Sequence, residues 1–282
     1  MAIEEHTVEI DGVPIRYLIA GEGPPMVLLH GAGDNALDWK WVMPDLAATH
    51  RLYAPDLPGS PDSARPAADY SPAFFERFVA AFFDALDIGR ATLVGNSLGG
   101  LIALRIALSE PTRVTALILV DSAGLGRAVS PVLRSLALPG YGELAVAWSK
   151  TPPGALQRAL GRAVLLFASP RRVPLEWLKA QYRLGRTSGF LEVQLAAIRA
   201  QVGLRKQREV LLGQLPSLQI PTLLVWGTRD RVFPESQARE ASARLQEGSL
   251  ALIHDCGHIP HVECPERFMA ALGEFLGGQG HR

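Results

Sequence analysis

Short apolar runs alternate with segments of helical period at both ends of this chain, and few architectures accommodate such alternation. The runs fall at 6–10, 14–20, 26–30, 51–54, 91–94, 114–120, 222–226 and 249–253. Several are continuously apolar, which predicts strands of a parallel sheet covered on both faces. Helical patterns lie between them at 36–49, 72–86, 98–109, 235–245 and 265–276, with Ser71-Pro72 as a cap and first helical residue. The expected fold class is α/β: a doubly wound, mostly parallel eight-stranded sheet with ligands at the carboxyl ends of its strands.

From 127 to 215 the strand signal vanishes. A structureless loop of that length inside a compact domain is improbable, so the segment is expected to be an inserted all-helical cap. It lies between the first part of the core, 1–126, and the second, 216–282. Its helices are expected at 131–138, 144–149, 154–167, 174–184 and 190–204. Charge also sets it apart. Residues 123–216 carry fourteen Lys or Arg against four Glu and no Asp, a surplus of ten, balanced by an equal negative surplus elsewhere. The simpler reading is a basic lid attracted to an acidic base; the sharper one is attraction of anionic substrates or membrane headgroups.

With 48% hydrophobic residues in 282, the chain can bury enough surface to exclude disorder for most of its length. Balanced total charge gives no sign of a nucleic-acid partner. No apolar stretch approaches the ~20 residues of a membrane span, so no stable membrane insertion is expected. The start of the chain, Met1 to His6, is acidic and lacks the regions of a secretory signal, so a cytoplasmic location is expected. Cys256 and Cys264 cannot form a disulfide framework and have no C-x-x-C spacing, which reads as reduced packing thiols. Neither a cofactor nor a metal is implied.

Chemistry concentrates at Gly95-Asn96-Ser97-Leu98-Gly99, a G-x-S-x-G pattern between a short apolar strand and a helix. A serine on so sharp a turn occupies a strained backbone, and side chains two residues before or after it would collide with their neighbours. A serine hydroxyl is a poor nucleophile alone, so a base, an orienting acid and an oxyanion hole are required. His258 and Asp230 follow late strands and supply the first two. The backbone N–H groups of Ala32, after the 26–30 strand, and of Leu98 supply oxyanion donors. The chain order Ser97, Asp230, His258 fits a nucleophile elbow.

Together with His30-Gly31-Ala32-Gly33, Asp56-Leu57-Pro58-Gly59, Gly227-Thr228-Arg229-Asp230 and Gly257-His258, this pattern resembles the α/β-hydrolase fold superfamily, specifically esterase-like serine hydrolases with a helical cap. The resemblance covers nearly the whole chain. It implies that Ser97 attacks a carbonyl, that His258 takes and returns the proton, and that Asp230 holds the imidazole. Relatives attacking epoxides or carbon–halogen bonds use Asp where Ser97 stands. The family pattern also carries a second glycine after Gly59, whereas here Gly59-Ser60-Pro61-Asp62-Ser63 lacks it. Meta-cleavage product hydrolases, which break C–C bonds, share the Asn96-Ser97 pair but commonly have a tryptophan where Ile259 follows His258.

The expected partner is a small-molecule ester or related carbonyl substrate, small to medium and largely apolar, with a homodimer left open. Asn96, Gly31, Trp148 and Ile259 are candidate substrate contacts, although Asn96 could equally stabilise the elbow. The alternatives are C–C bond hydrolysis of ring-fission products, a lactonase, or a ligand-binding receptor with a slow triad. His261 is the main rival base and Asp121 the main rival acid, while His30 and His254 read as structural. Trp39 and Trp41, and most of Tyr141, Phe167, Trp177, Tyr182 and Phe190, read as helix core faces.

Overall fold

The computed structural model describes residues 2–61 and 63–279; Met1, Asp62 and 280–282 lie outside that set, including one residue of the loop lacking the second glycine. Eight strands form one sheet: β1 (Glu4–Ile10), β2 (Val13–Ala20), β3 (Pro25–Leu29), β4 (Arg51–Pro55), β5 (Ala91–Asn96), β6 (Val114–Val120), β7 (Thr222–Gly227) and β8 (Gly248–Ile253). Their order is β1-β2-β4-β3-β5-β6-β7-β8. β2 pairs antiparallel with β1 and β4, and every other pairing is parallel. The antiparallel edge follows from Asp11-Gly12, whose positive φ angles, 50° and 75°, make the tight hairpin turn that joins β1 to β2.

The apolar runs are explained by two cores, one on each face. Along β6, Leu117 and Leu119 enter one core while Ala116, Ile118 and Val120 enter the other. β3 divides likewise, with Val27 and Leu29 opposite Met26 and Leu28. Helices α2 (Pro72–Ala85) and α3 (Leu98–Ser109) cover the first face, and Phe268 and Leu272 of α11 (Pro265–Gln279) cover the second. Ser71 caps α2 by accepting from Phe74 N–H at 3.1 Å.

Among the described residues, between β6 and β7 lie five α-helices, two short 3₁₀ turns and no strand: α4 (Pro131–Leu136), α5 (Tyr141–Ser149), α6 (Pro152–Leu166), α7 (Leu175–Arg186) and α8 (Phe190–Gln201). The 36–49 helix is different from expectation. It is a 3₁₀ turn over Ala36–Trp41 followed by the single turn α1 (Met43–Leu46), because Pro44 has no N–H to continue a helical ladder. α9 (Ser236–Ser242) and α10 (Pro260–Glu263) complete the chain. Among the described residues, no helix is long and apolar enough to cross a membrane.

Candidate active site

Strand β5 ends at Asn96 and α3 begins at Leu98, so Ser97 alone makes the turn between them. It does so at φ 54° and ψ −114°, a conformation that residues with a Cβ rarely adopt. Its N–H donates to Val120 O at 3.0 Å, and its carbonyl accepts from Ala123 N–H at 3.0 Å. Glycine is demanded on both sides: a Cβ on Gly95 would overlap the Gly99 backbone, and one on Gly99 would overlap the Leu29 carbonyl. Leu98 N–H, in the first turn of α3, and Ala32 N–H, after β3, are engaged by no other group among the described residues.

His258 lies in the loop after β8. Its Nδ1 donates to Asp230 Oδ2 at 2.9 Å, with both side chains buried, and the second Asp230 oxygen accepts from Val232 N–H at 2.6 Å. A carboxylate can only accept here, so the proton belongs on Nδ1 and Nε2 is left as an acceptor. Ser97 and His258 line one cavity. Among the described residues the Ser97 hydroxyl has no hydrogen-bond partner; contacts of this kind often tighten only around a substrate.

Asn96 ties the two parts together, donating to Val120 O at 3.1 Å and to the His258 carbonyl at 2.9 Å. His258 N–H donates to Leu166 O at the end of α6 at 2.8 Å. Glu263 braces the same loop, accepting from Gly257 N–H at 2.7 Å and from the N–H groups of Ala168 and Ser169 at 3.0 and 3.1 Å.

Asp121, the rival acid, ends β6 but does not bond the imidazole. One of its oxygens accepts from Gly227 N–H at 3.0 Å. One atom each of Asp121, Asp230 and His258 lies within 4.8 Å of the others. Burial, and then the Asp230 charge, push the Asp121 carboxyl well above the usual carboxylate range, which favours its protonated form. His261 is not in the cavity. It stacks on Trp39 with ring centroids 4.2 Å apart, and burial lowers its pKa to about 3. His30 braces the loop after β3, with Nε2 accepting from Leu57 N–H at 3.0 Å. His254 is exposed beyond β8.

The cavity measures about 920 Å³, at the upper end for small-molecule sites, and its walls are mainly apolar. Gly31, Ala32, Asn96 and Trp148 line it. Trp148 is half-exposed, with Nε1 donating to Gln157 at 2.7 Å. Ile259, at the turn into α10, is 1% exposed within the core cluster and is not among the residues that line the cavity. Of the aromatic residues in the helical segment, Phe167, Trp177 and Phe190 are buried, whereas Tyr141 and Trp148 line the cavity.

Several residues at the site carried no motif. Gln194 accepts from Gly33 N–H at 2.5 Å, while Arg162 and Gln181 donate to Asp34 at 2.6 and 2.8 Å. Three side chains of the helical segment thus pin the loop after β3. Arg158 also lines the cavity, donating to the Gln181 carbonyl at 3.0 Å with no carboxylate partner among the described residues. Burial, and then Arg162, lower its pKa to about 9, which leaves it charged at neutral pH. The available signal was the spacing of Arg158 and Arg162 at i and i+4, amid the buried Ala155, Ala159 and Ala163 of α6.

Cys256, Glu263 and Cys264 present ligand atoms within 4.8 Å of one another. Glu263 is occupied by backbone N–H groups and Arg172, and the Cys264 sulfur faces Arg172 and Arg267, so their charges oppose a cation there.

This fold has known counterparts. The chain belongs to the alpha/beta hydrolase fold family, whose model matches residues 24–265. It is similar to an uncharacterized protein of Mycobacterium tuberculosis, 33% identical over 281 residues that cover 95% of this chain and 79% of that one. It is also similar to 2-hydroxymuconate semialdehyde hydrolase of Pseudomonas sp. (strain CF600), 31% identical over 94% of this chain and 91% of that one. Among solved structures, a bacterial membrane phospholipase A superposes with a TM-score of 0.81 at 29% identity, covering 98% of this chain and 86% of that one.

Proposed function

We propose that the chain is a serine hydrolase of carboxylic esters with largely apolar substrates. Ser97 Oγ attacks the ester carbonyl while His258 Nε2 takes its proton, and Asp230 holds the imidazole in the required tautomer. The N–H groups of Ala32 and Leu98 receive the developing oxyanion. His258 returns the proton to the departing alcohol, leaving an acyl-Ser97 ester that water then hydrolyses by the same route. The observation that carries this reading is the strained Ser97 turn opening into the cavity that holds His258, whose far nitrogen is fixed on Asp230.

Ser97→Ala is expected to lower turnover of p-nitrophenyl esters by about 10⁶, roughly 8 kcal/mol of barrier, with an unchanged unfolding midpoint. Parental turnover by that variant would end the assignment.

Cleavage of a C–C bond in a vinylogous diketone is the second reading. It is favoured by Arg158, whose unpaired guanidinium in the cavity could hold a substrate carboxylate. The relatives divide in the same way, between a membrane phospholipase A and 2-hydroxymuconate semialdehyde hydrolase. Turnover of a vinylogous diketone acid without turnover of esters would select this second reading. The helical segment is in either case the cap that shapes the substrate space.

A further inference from the structure

Around the mouth of the cavity, the helical segment turns an apolar surface to solvent. On α6 the residues Leu156, Leu160 and Val164 recur at i, i+4 and i+8 and are 50, 48 and 63% exposed. Pro153, Gln157 and Gly161 share that exposed face, so it carries no charge. On α5 the residues Tyr141, Leu144 and Trp148, at i, i+3 and i+7, form a second stripe, at 52, 72 and 51% exposed. The bond from Trp148 to Gln157 makes the two stripes neighbours.

A helix against water ordinarily places charged residues on its outer face, and large apolar side chains are seldom left uncovered together. Here Tyr141, Leu144, Trp148 and Val164 also line the cavity. The exposed stripes and the cavity wall are therefore one apolar surface leading towards Ser97.

Charge selects what covers it. The four glutamates of residues 123–216 are all neutralised in ion pairs: Glu143 with Arg199, Glu176 with Lys40, Glu192 with Lys150 and Glu209 with Arg105. Most of the segment's fourteen cations have no carboxylate partner among the described residues. The result is an apolar surface, uncharged along α6 and with the one carboxylate of α5 paired to Arg199, on a positive body, which suits an anionic headgroup layer. A second copy of the chain would instead bring two positive surpluses together. Tyr141 and Trp148 add amphipathic rings of the kind that rest at headgroup depth.

We propose that the outer faces of α5 and α6 dock on an anionic phospholipid surface, from which a long-chain acyl ester enters the cavity without crossing water. The fate of the ester rests on the function proposed above; the docking does not.

The test uses large unilamellar vesicles of phosphatidylcholine alone or mixed equally with phosphatidylglycerol. Ser97→Ala protein is expected to float with the mixed vesicles, to float weakly with the neutral ones, and to release as salt is raised. The double substitution Leu156→Glu and Leu160→Glu, at two positions outside the cavity lining, is expected to weaken vesicle binding by roughly tenfold or more. In the Ser97 background it should lose turnover of a vesicle-borne long-chain p-nitrophenyl ester by a similar factor, and hydrolyse soluble p-nitrophenyl butyrate at the parental rate. Absence of vesicle binding, or binding unchanged by the two glutamates, overturns the proposal. So does a dimer that the same substitutions disperse in sedimentation while vesicles are ignored. Vesicle binding by a protein that hydrolyses no ester supports docking and removes the ester reading.

Discussion

Asp121 and Asp230 place two carboxyl groups side by side near one imidazole, and Asp121 is the one pushed towards its neutral form by burial and by its neighbour. A neutral carboxyl can donate to the Asp230 carboxylate, which would fix the acceptor that His258 Nδ1 requires. Asp121→Asn retains an N–H donor and is expected to keep kcat within about threefold. Asp121→Val retains none and should lower kcat by about 10- to 100-fold with little change in KM, the usual worth of a hydrogen bond to a charged group. Steady-state kinetics on one soluble ester distinguish the two, with an unfolding midpoint for each variant as the control.

His261 gives a prediction about stability. Its folded pKa of about 3 lies below the ordinary histidine value, so between pH 6.5 and 3 the unfolded chain binds a proton that the folded chain refuses. Stability is therefore lost as pH falls through that window, by about 2 kcal/mol at pH 5. His261→Phe, which preserves a ring against Trp39, should lose correspondingly less between pH 8 and pH 5 in urea unfolding. Equal losses would mean that the imidazole charges freely inside the fold. The choice between His261 and His258 was not decided by residue type, since both follow β8 within a few positions. Burial against Trp39 separates them, and that contact spans 222 positions of chain.

At the scale of elements, the loop after β3 and the helical segment hold each other. Asp34 is buried and receives both Arg162 and Gln181, and Gly33 at φ 83° leaves room for the Arg162 guanidinium that a Cβ would strike. Arg162→Met keeps much of the side-chain length but strands a buried carboxylate. It is expected to cost about 3 kcal/mol of stability and to lower kcat/KM, because the displaced loop carries the Ala32 N–H. A urea midpoint unchanged from the parent would refute this linkage. The sheet and most helices were legible because their patterns are local: continuous apolar runs for parallel strands, and Ser71-Pro72 for the start of α2. The break at Pro44 was also local but was masked by the helical period around it. The ties of Gly33 to Gln194 and of Asp34 to Arg162 and Gln181 were not legible, since each joins residues more than a hundred positions apart and its partner in the helical segment belongs to no motif.

At the scale of the molecule, two stretches of core flank the helical segment, and the question is whether that segment folds as a separate body. Its apolar side chains answer against separation. Leu166, Phe167, Trp177 and Val193 belong to the same buried cluster as Leu119 of β6 and Leu101 of α3. The His258 loop is tied to both parts as well, through Leu166 on one side and Asn96 on the other. Removing the helices would uncover the part of that shared cluster they bury, so the segment and the sheet should unfold together. Tryptophans make this measurable, since Trp148 and Trp177 report on the helical segment and Trp226 on the sheet. A variant keeping only the first two and a variant keeping only the third, each compared with the loss of far-ultraviolet circular dichroism in the same protein, should give coincident urea transitions. An earlier transition in the first variant, with the second unchanged, would establish a separately melting cap and would detach the shared cluster from the stability of the whole.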